Sequence, residues 1–152
     1  MKRLRLLLVC VALHSLAVAD VGEGTPQVRI DYMLNCQGCH LPDGSGFVGK
    51  VPDFRGMAGK FLKVEGGREF LVRVPGAATA PISDERLATL LTWMVREFSA
   101  TDLPADFVPY SAAEVGDWRR KPYTDVVGVR AGLMARIEAS AAPSPTPSLR
   151  TQ

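Results

Sequence analysis

The most regular pattern of apolar and polar residues in this chain begins at Ser83. From there apolar side chains recur at intervals of three and four residues, as on the buried face of an amphipathic helix: Leu87, Leu90, Leu91, Met94, Val95 and Phe98. Ser83 is a favourable N-cap, and two acidic residues, Asp84 and Glu85, follow in the first turn. This pattern predicts a long helix from Ser83 to Phe98.

Weaker helical patterns occur elsewhere. Thr25 and Pro26 supply an N-cap and a first helical residue, after which Val28, Tyr32 and Cys36 recur every four residues. Further helices are predicted over 66–74, from Ser111, and over 125–138, with turn-rich loops at 41–46 and 51–56. No segment requires a β-sheet, so an all-α fold is predicted.

The two ends of the chain differ from this pattern. Residues 1–19 have a basic start, an apolar run from Leu6 to Leu16, and the small residues Ala17-Val18-Ala19, which together predict a signal peptide cleaved before Asp20. The apolar run is too short to span a bilayer. We therefore expect a periplasmic protein without stable membrane insertion after cleavage. Residues 141–152 are rich in Pro and Ser, and a disordered tail is predicted there.

Composition and charge reduce the number of functional classes that fit this chain. With 152 residues, 47% of them apolar, the chain has the size of one modest domain with appendages. Cleavage removes Lys2, Arg3 and Arg5 from 18 basic residues, leaving 15 against 16 acidic ones and a net charge near −1. This balance removes the main electrostatic support for nucleic-acid binding.

The mature chain would keep two cysteines and one histidine, all within Cys36-Gln37-Gly38-Cys39-His40. C-x-x-C-H is the attachment pattern of a c-type haem. The thiols of Cys36 and Cys39 form thioethers with the porphyrin, and His40 is the axial ligand to the iron. We predict one covalently attached haem c per chain. With its single histidine used in this way, the chain has no Ser/His/Asp or Cys/His catalytic arrangement, so no catalytic residue is assigned and an enzyme is not expected.

Three other interpretations of the motif were weighed. A structural zinc site needs four ligands, and the mature chain has only three Cys and His residues. A thioredoxin-like dithiol requires a βαβ context that this sequence lacks. A disulfide within the motif leaves His40 without a role. Haem attachment accounts for all three residues.

Residues 25–99 resemble the monohaem class I cytochrome c family. Besides the motif, the resemblance includes Tyr32, which in the family packs on the last helix, the segment 82–85, and Trp93. Pro52 matches the family proline whose carbonyl accepts a hydrogen bond from the ligand imidazole, a contact that would orient His40. The resemblance implies a small helical haem domain that exchanges electrons with periplasmic redox partner proteins. Residues 100–140 lie outside it and are predicted to form a helical extension.

One departure from the family leaves the sixth iron ligand open. The family places a methionine in the loop before the last helix, but residues 74–81 contain none. Three alternatives remain: Met57, which is the best substitute among the methionines; Met94, which lies in the middle of the apolar stripe; and an open or weakly occupied position. The open position would favour an alternative function, binding of a diatomic ligand or reaction with peroxide. A further alternative is the cytochrome subunit of a periplasmic dehydrogenase, with residues 104–140 as its docking element.

A group of basic residues falls between positions 50 and 73. If these side chains surround the haem edge, they would steer an acidic redox partner; if not, they form a solvated charged face. The group comprises Lys50, Arg55, Lys60, Lys63, Arg68 and Arg73.

Overall fold

The computed structural model of the protein describes residues 26–142. The predicted signal peptide and the predicted tail beyond Ala142 lie outside this range. Within it the fold is helical, as predicted, and the only β-type pairing is a single bridge between Phe47 and Val51. The α-helices are α1 (Pro26–Asn35), α2 (Ala58–Phe61), α3 (Gly67–Arg73), α4 (Pro75–Ala78), α5 (Asp84–Ser99), α6 (Ala112–Arg119) and α7 (Val126–Ala141).

Helix α5 forms the centre of the fold, as its apolar stripe predicts. Ser83 is its N-cap, and the Ser83 side chain accepts a hydrogen bond from the backbone N–H of Arg86 at 3.3 Å. All members of the predicted stripe are buried except Phe98, which is half-buried. Trp93 is buried as well, so the buried surface of α5 is wider than the predicted stripe.

Helix α1 packs against α5 through apolar contacts and two ion pairs, one of them an exposed pair between Arg29 and Glu97 at 3.6 Å. Val28 and Tyr32 are buried in the contact. Asp31 is also buried, and its carboxylate accepts hydrogen bonds from Arg86 of α5, one of them 3.1 Å from Nε, and from Gln27 at 2.9 Å. Hydrogen bonding to Arg86 holds the pKa of Asp31 below its usual value. A buried charge is tolerated here because it is paired.

The two glycines at the start of α3, Gly66 as the N-cap and Gly67 as the first helical residue, have distinct roles. Gly66 has φ +78°, a left-handed conformation that favours glycine. A Cβ on Gly67 would lie 1.9 Å from the carbonyl oxygen of Phe61. Together they allow α2 and α3 to pack closely within a few residues of each other.

The predicted extension packs on the rest of the chain. Helix α6 begins with the capping box predicted at Ser111 and Glu114. In α7, Leu133 and Ile137 are buried against a cluster that includes Phe61 and Phe70. Val127, one of the apolar residues of the helix predicted over 125–138, is 81% exposed, because it does not lie on the face of α7 that carries Leu133 and Ile137.

Two short helices were not predicted. Helix α2 follows Met57 in a segment for which we predict no element, and α4 begins at Pro75, where the helix predicted over 66–74 was expected to end. In both cases the helix has four residues, too few for a hydrophobic period to appear. A proline is also well suited to the first helical position, which is how Pro75 is used.

An ion pair joins α3 to α6. Arg68 Nε donates to Glu114 Oε1 at 2.7 Å, and the Arg68 guanidinium also donates to the backbone carbonyls of Val108 and Pro109. Hydrogen bonding to Arg68 lowers the pKa of Glu114 to about 2, with further contributions from Ser111. The carboxylate therefore serves as a helix cap and as the partner of a cation from another segment.

We predict that Glu114→Gln lowers stability in a pH-dependent way. A pKa lowered by folding stabilises the protein above the unfolded pKa and ceases to do so as the pH falls toward the folded value. The variant should be about 1 kcal/mol less stable at pH 6, and the difference should shrink between pH 4.5 and 2. Urea unfolding at pH 6, 4 and 3 measures it. Asp117→Asn, which removes an exposed pair with Arg120, is the control. A loss equal to that of the control at pH 6 would contradict the prediction.

Candidate functional site

The motif follows directly from the end of α1. The backbone N–H of Cys36 still bonds to the carbonyl of Tyr32 at 2.9 Å, and those of Cys39 and His40 bond to the carbonyl of Cys36 at 3.0 and 2.9 Å. These tight turns keep the two cysteines and the histidine together. Both thiols are free, although the spacing permits a disulfide.

All three motif side chains line one cavity of about 420 Å³. This volume lies in the range of pockets that bind small organic cofactors. The walls are almost wholly apolar and come from several helices: Phe61, Phe70, Leu71, Val74, Leu87, Leu90, Leu91 and Val95. Phe70, Leu71 and Val74, the apolar residues of the helix predicted over 66–74, are among them.

His40 has the properties of an available metal ligand. Its ring stacks on Phe54 with centroids 3.9 Å apart. Burial lowers the pKa of the imidazole, opposed in part by the charge of Asp53, so the ring is neutral at neutral pH. Its Nδ1 is buried and makes no hydrogen bond within residues 26–142. A buried imidazole nitrogen without a partner is a polar group that a neighbouring carbonyl or a bound group would satisfy.

The hydrogen bond that the family resemblance implies for Pro52 is not formed here, because Nδ1 of His40 has no partner. Pro52 does line the same cavity. Its role as the acceptor that orients His40 therefore stays a prediction.

The two thiols differ in their surroundings. Cys36 is half-buried and packs against the cluster around Tyr32, whereas Cys39 is exposed. Burial raises the pKa of the Cys36 thiol to about 11, with smaller contributions from Cys39 and Asp31. In the apoprotein Cys36 is thus an uncharged thiol beside an apolar cavity.

Tyr32 fixes the motif on α5. Its ring lies 5.5 Å from that of Trp93 and 5.3 Å from that of Phe98, which confirms the predicted packing on the last helix of residues 25–99. Its hydroxyl donates to the carbonyl of Leu41 at 2.7 Å. Burial raises the pKa of Tyr32 to about 12, so the hydroxyl remains a donor at neutral pH.

Residues 74–81, which precede α5 and include the short helix α4, form another part of the wall. We call this segment the loop before α5. Pro75, Gly76, Ala77 and Ala80 line the cavity. Arg119 of α6 holds this loop: its guanidinium donates to the carbonyls of Ala78, Ala80 and Ile82, at 3.1 Å for Ala78 and 2.8 Å for Ile82. The wall is apolar and offers no side chain that ligates iron.

Both candidate methionines line the cavity. Met57 is half-buried and lies in the turn directly before α2. Met94 is 5% exposed and packs within the cluster around Leu90 and Trp93. Lys50, from the basic group at 50–73, also lines the cavity. Sequence reasoning missed two lining residues, Val126 and Arg130, because the family resemblance ends at residue 99 and no local pattern links α7 to the motif.

The donor set and the shape of the cavity fit a covalently held haem. Two thiols and a neutral imidazole lie on an apolar cavity, which is what thioether attachment and axial ligation require. Within residues 26–142, no three His, Cys, Asp or Glu side chains come together to bind a metal ion by themselves. In the same range, no helix is long and apolar enough to cross a membrane.

Comparison with known proteins agrees with this geometry. No family model matches the chain. Two curated proteins from Thermus thermophilus, both named cytochrome c-552, are 29% identical to it over 107 residues, an alignment that covers 59% of this chain and 82% or 72% of the relative. This similarity supports a place among the cytochromes c.

We predict that Tyr32→Phe destabilises the protein by about 1 kcal/mol, the usual contribution of one intramolecular hydrogen bond. The variant keeps the aromatic packing and loses only the bond to Leu41. Tyr123→Phe is the matched control, since no hydrogen bond of its hydroxyl occurs within residues 26–142. Denaturant unfolding of the mature protein measures both. Equal effects of the two substitutions would show that the hydroxyl does not hold the motif.

Proposed function

We propose that this protein is a periplasmic c-type cytochrome that carries one electron at a time on a single, covalently attached haem. The observation that supports this most directly is the position of Cys36, Cys39 and His40 on one apolar cavity. The similarity to cytochromes c-552 agrees with it. The predicted signal peptide supports the location.

In this proposal each motif residue has one task. Cys36 and Cys39 bind the porphyrin through thioethers, and His40 binds the iron. Phe54, stacked on His40, fixes the plane of the imidazole. Pro52 is the proposed acceptor for the second imidazole nitrogen. The bound haem would supply the one-electron chemistry.

The apolar walls have an electrostatic effect. They exclude water from most of the cavity, and a site of low polarity disfavours the more highly charged oxidation state of an iron. Cys39, by contrast, is exposed. The edge of the haem that is attached to Cys39 would therefore lie near the protein surface, where electrons can be exchanged with a redox partner.

The structure gives little support to the hypothesis that the basic residues at 50–73 steer an acidic redox partner to the site. Four of the six pair with acidic residues: Arg55 with Asp53 and Asp43, Lys60 with Asp102, Arg68 with Glu114, and Arg73 with Glu69. Such pairing cancels most of the local positive field. A solvated face of mixed charge describes this surface better.

A second candidate function follows from the loop before α5. The cavity-facing residues of this loop, such as Ala77 and Ala80, cannot bind iron. If no other side chain does so, the haem would have an open side that binds a diatomic ligand or reacts with peroxide. For the electron carrier we propose Met57 as the sixth ligand, because it lines the cavity and is only half-buried, whereas Met94 is packed within the core.

The first test is haem attachment. Replacing Cys36 and Cys39 together with Ala should abolish haem staining after denaturing electrophoresis, because no thiol of the mature chain would remain. The single variants should keep one thioether and reduced staining. Covalent haem in the double variant would refute the proposal.

The second test compares Met57→Ala with Met94→Ala in the haem-loaded protein. We expect a low-spin wild type, and Met57→Ala should become high-spin and bind carbon monoxide in the ferrous state. Met94→Ala should stay low-spin and lose about 2–5 kcal/mol of stability to the void it leaves. Absorption spectra and thermal melts report both effects.

Other outcomes of this comparison are equally decisive. A loss of low-spin character in Met94→Ala alone would assign the ligand to Met94. A high-spin wild type that binds carbon monoxide would replace the electron carrier by the ligand-binding function.

A further inference from the structure

Helix α7 supplies part of the cavity wall. Val126 and Arg130, one helical turn apart on the same face, both line the cavity. The helix is held in place by Leu133 and Ile137, which are buried against the cluster around Phe61 and Phe70. The extension therefore reaches the site that residues 25–99 were expected to form alone.

Arg130 is a cation in a nearly apolar wall, and it has no acidic partner within residues 26–142. Its guanidinium lies 5.9 Å from the centre of the Phe61 ring. The nearest acidic residue along the chain, Asp125, accepts a hydrogen bond from the N–H of Gly128 at 2.8 Å as the cap of α7. The acid that lines the cavity, Asp53, is paired with Arg55 at 2.7 Å.

The position of Arg130 relative to the cysteines suggests what it binds. Cys36 packs against the cluster around Tyr32 and Trp93, whereas Val126 belongs with the cluster around Phe61. The cavity is lined by members of both clusters, so it extends from the motif to the first turns of α7. In haem, the vinyl groups that react with thiols and the two propionate carboxylates lie on opposite edges of the ring. A haem tethered at Cys36 and Cys39 thus directs its carboxylates away from the motif.

We propose that Arg130 pairs with a haem propionate. Arg is suited to this role because its guanidinium forms paired hydrogen bonds with a carboxylate. The pair would cancel a negative charge close to the iron, which favours the reduced state and raises the reduction potential. This inference rests on the proposed haem attachment and adds a cofactor-binding residue from outside residues 25–99.

The test uses three variants of the full, haem-loaded chain. Arg130→Gln should shift the equilibrium toward the oxidised state by about threefold to tenfold at a fixed solution potential; tenfold corresponds to about 59 mV for one electron. Arg136→Gln removes the same charge from an exposed position on the same helix and should leave the potential nearly unchanged. Arg130→Lys should keep most of the wild-type value. Spectroelectrochemical titration measures all three, and the covalent haem content of each sample is determined first.

The possible results separate this inference from the proposed function. Failure of the wild-type chain to hold covalent haem would refute both. Covalent haem with equal potentials in Arg130→Gln and Arg136→Gln would overturn the role of Arg130 alone. If Arg130→Gln does not fold, Arg130→Ala takes its place: a potential below that of Arg136→Gln supports the pairing, and an equal potential overturns it.

Discussion

The packing of Tyr32 against α5 is the contact on which the site depends. Its ring touches Trp93 and Phe98, and its hydroxyl bonds to the carbonyl of Leu41, nine residues further on. The segment between these two points contains the whole motif. Because α1 ends at Asn35, regular helix does not orient the motif side chains. The positions of the motif side chains follow from the packing of Tyr32 and from the turn at Cys36. In this turn the N–H groups of Cys39 and His40 donate to the carbonyl of Cys36.

The cavity beside the motif is a gap in the core. Its lining draws on both hydrophobic clusters, one around Leu90 and one around Phe61. Apolar side chains that line it have fewer packing partners there than in a close-packed core. The proposed haem would supply those contacts, so it would contribute to stability as well as to the chemistry of the site.

The sequence was sufficient for the features that rest on local signals. The stripe on α5 and the caps at Ser83 and Ser111 follow from spacing and capping chemistry, and the structure has all three. The N-cap predicted at Thr25 lies outside residues 26–142. The motif brings Cys36 and His40 together because they are neighbours in the chain. The contribution of Arg130 depends instead on contacts between segments some 90 residues apart, for which one sequence carries no signal. Val127 was misplaced because a run of valines at 126, 127 and 129 does not define a single face.

Three arginines explain how the extension becomes part of the site. Arg68, Arg73 and Arg119 each donate to backbone carbonyls of a distant segment, and Arg119 alone binds three carbonyls of the loop before α5 as well as Asp84. A lysine has one nitrogen and could not span so many acceptors. The hydrogen bonds from Arg119 hold the loop before α5 in place, because a shift of this loop would break them and each contributes about 0.5–1.5 kcal/mol. Residues 74–81 have no side chain that ligates iron, so in the proposed electron carrier the sixth ligand comes from another segment, for which we propose Met57.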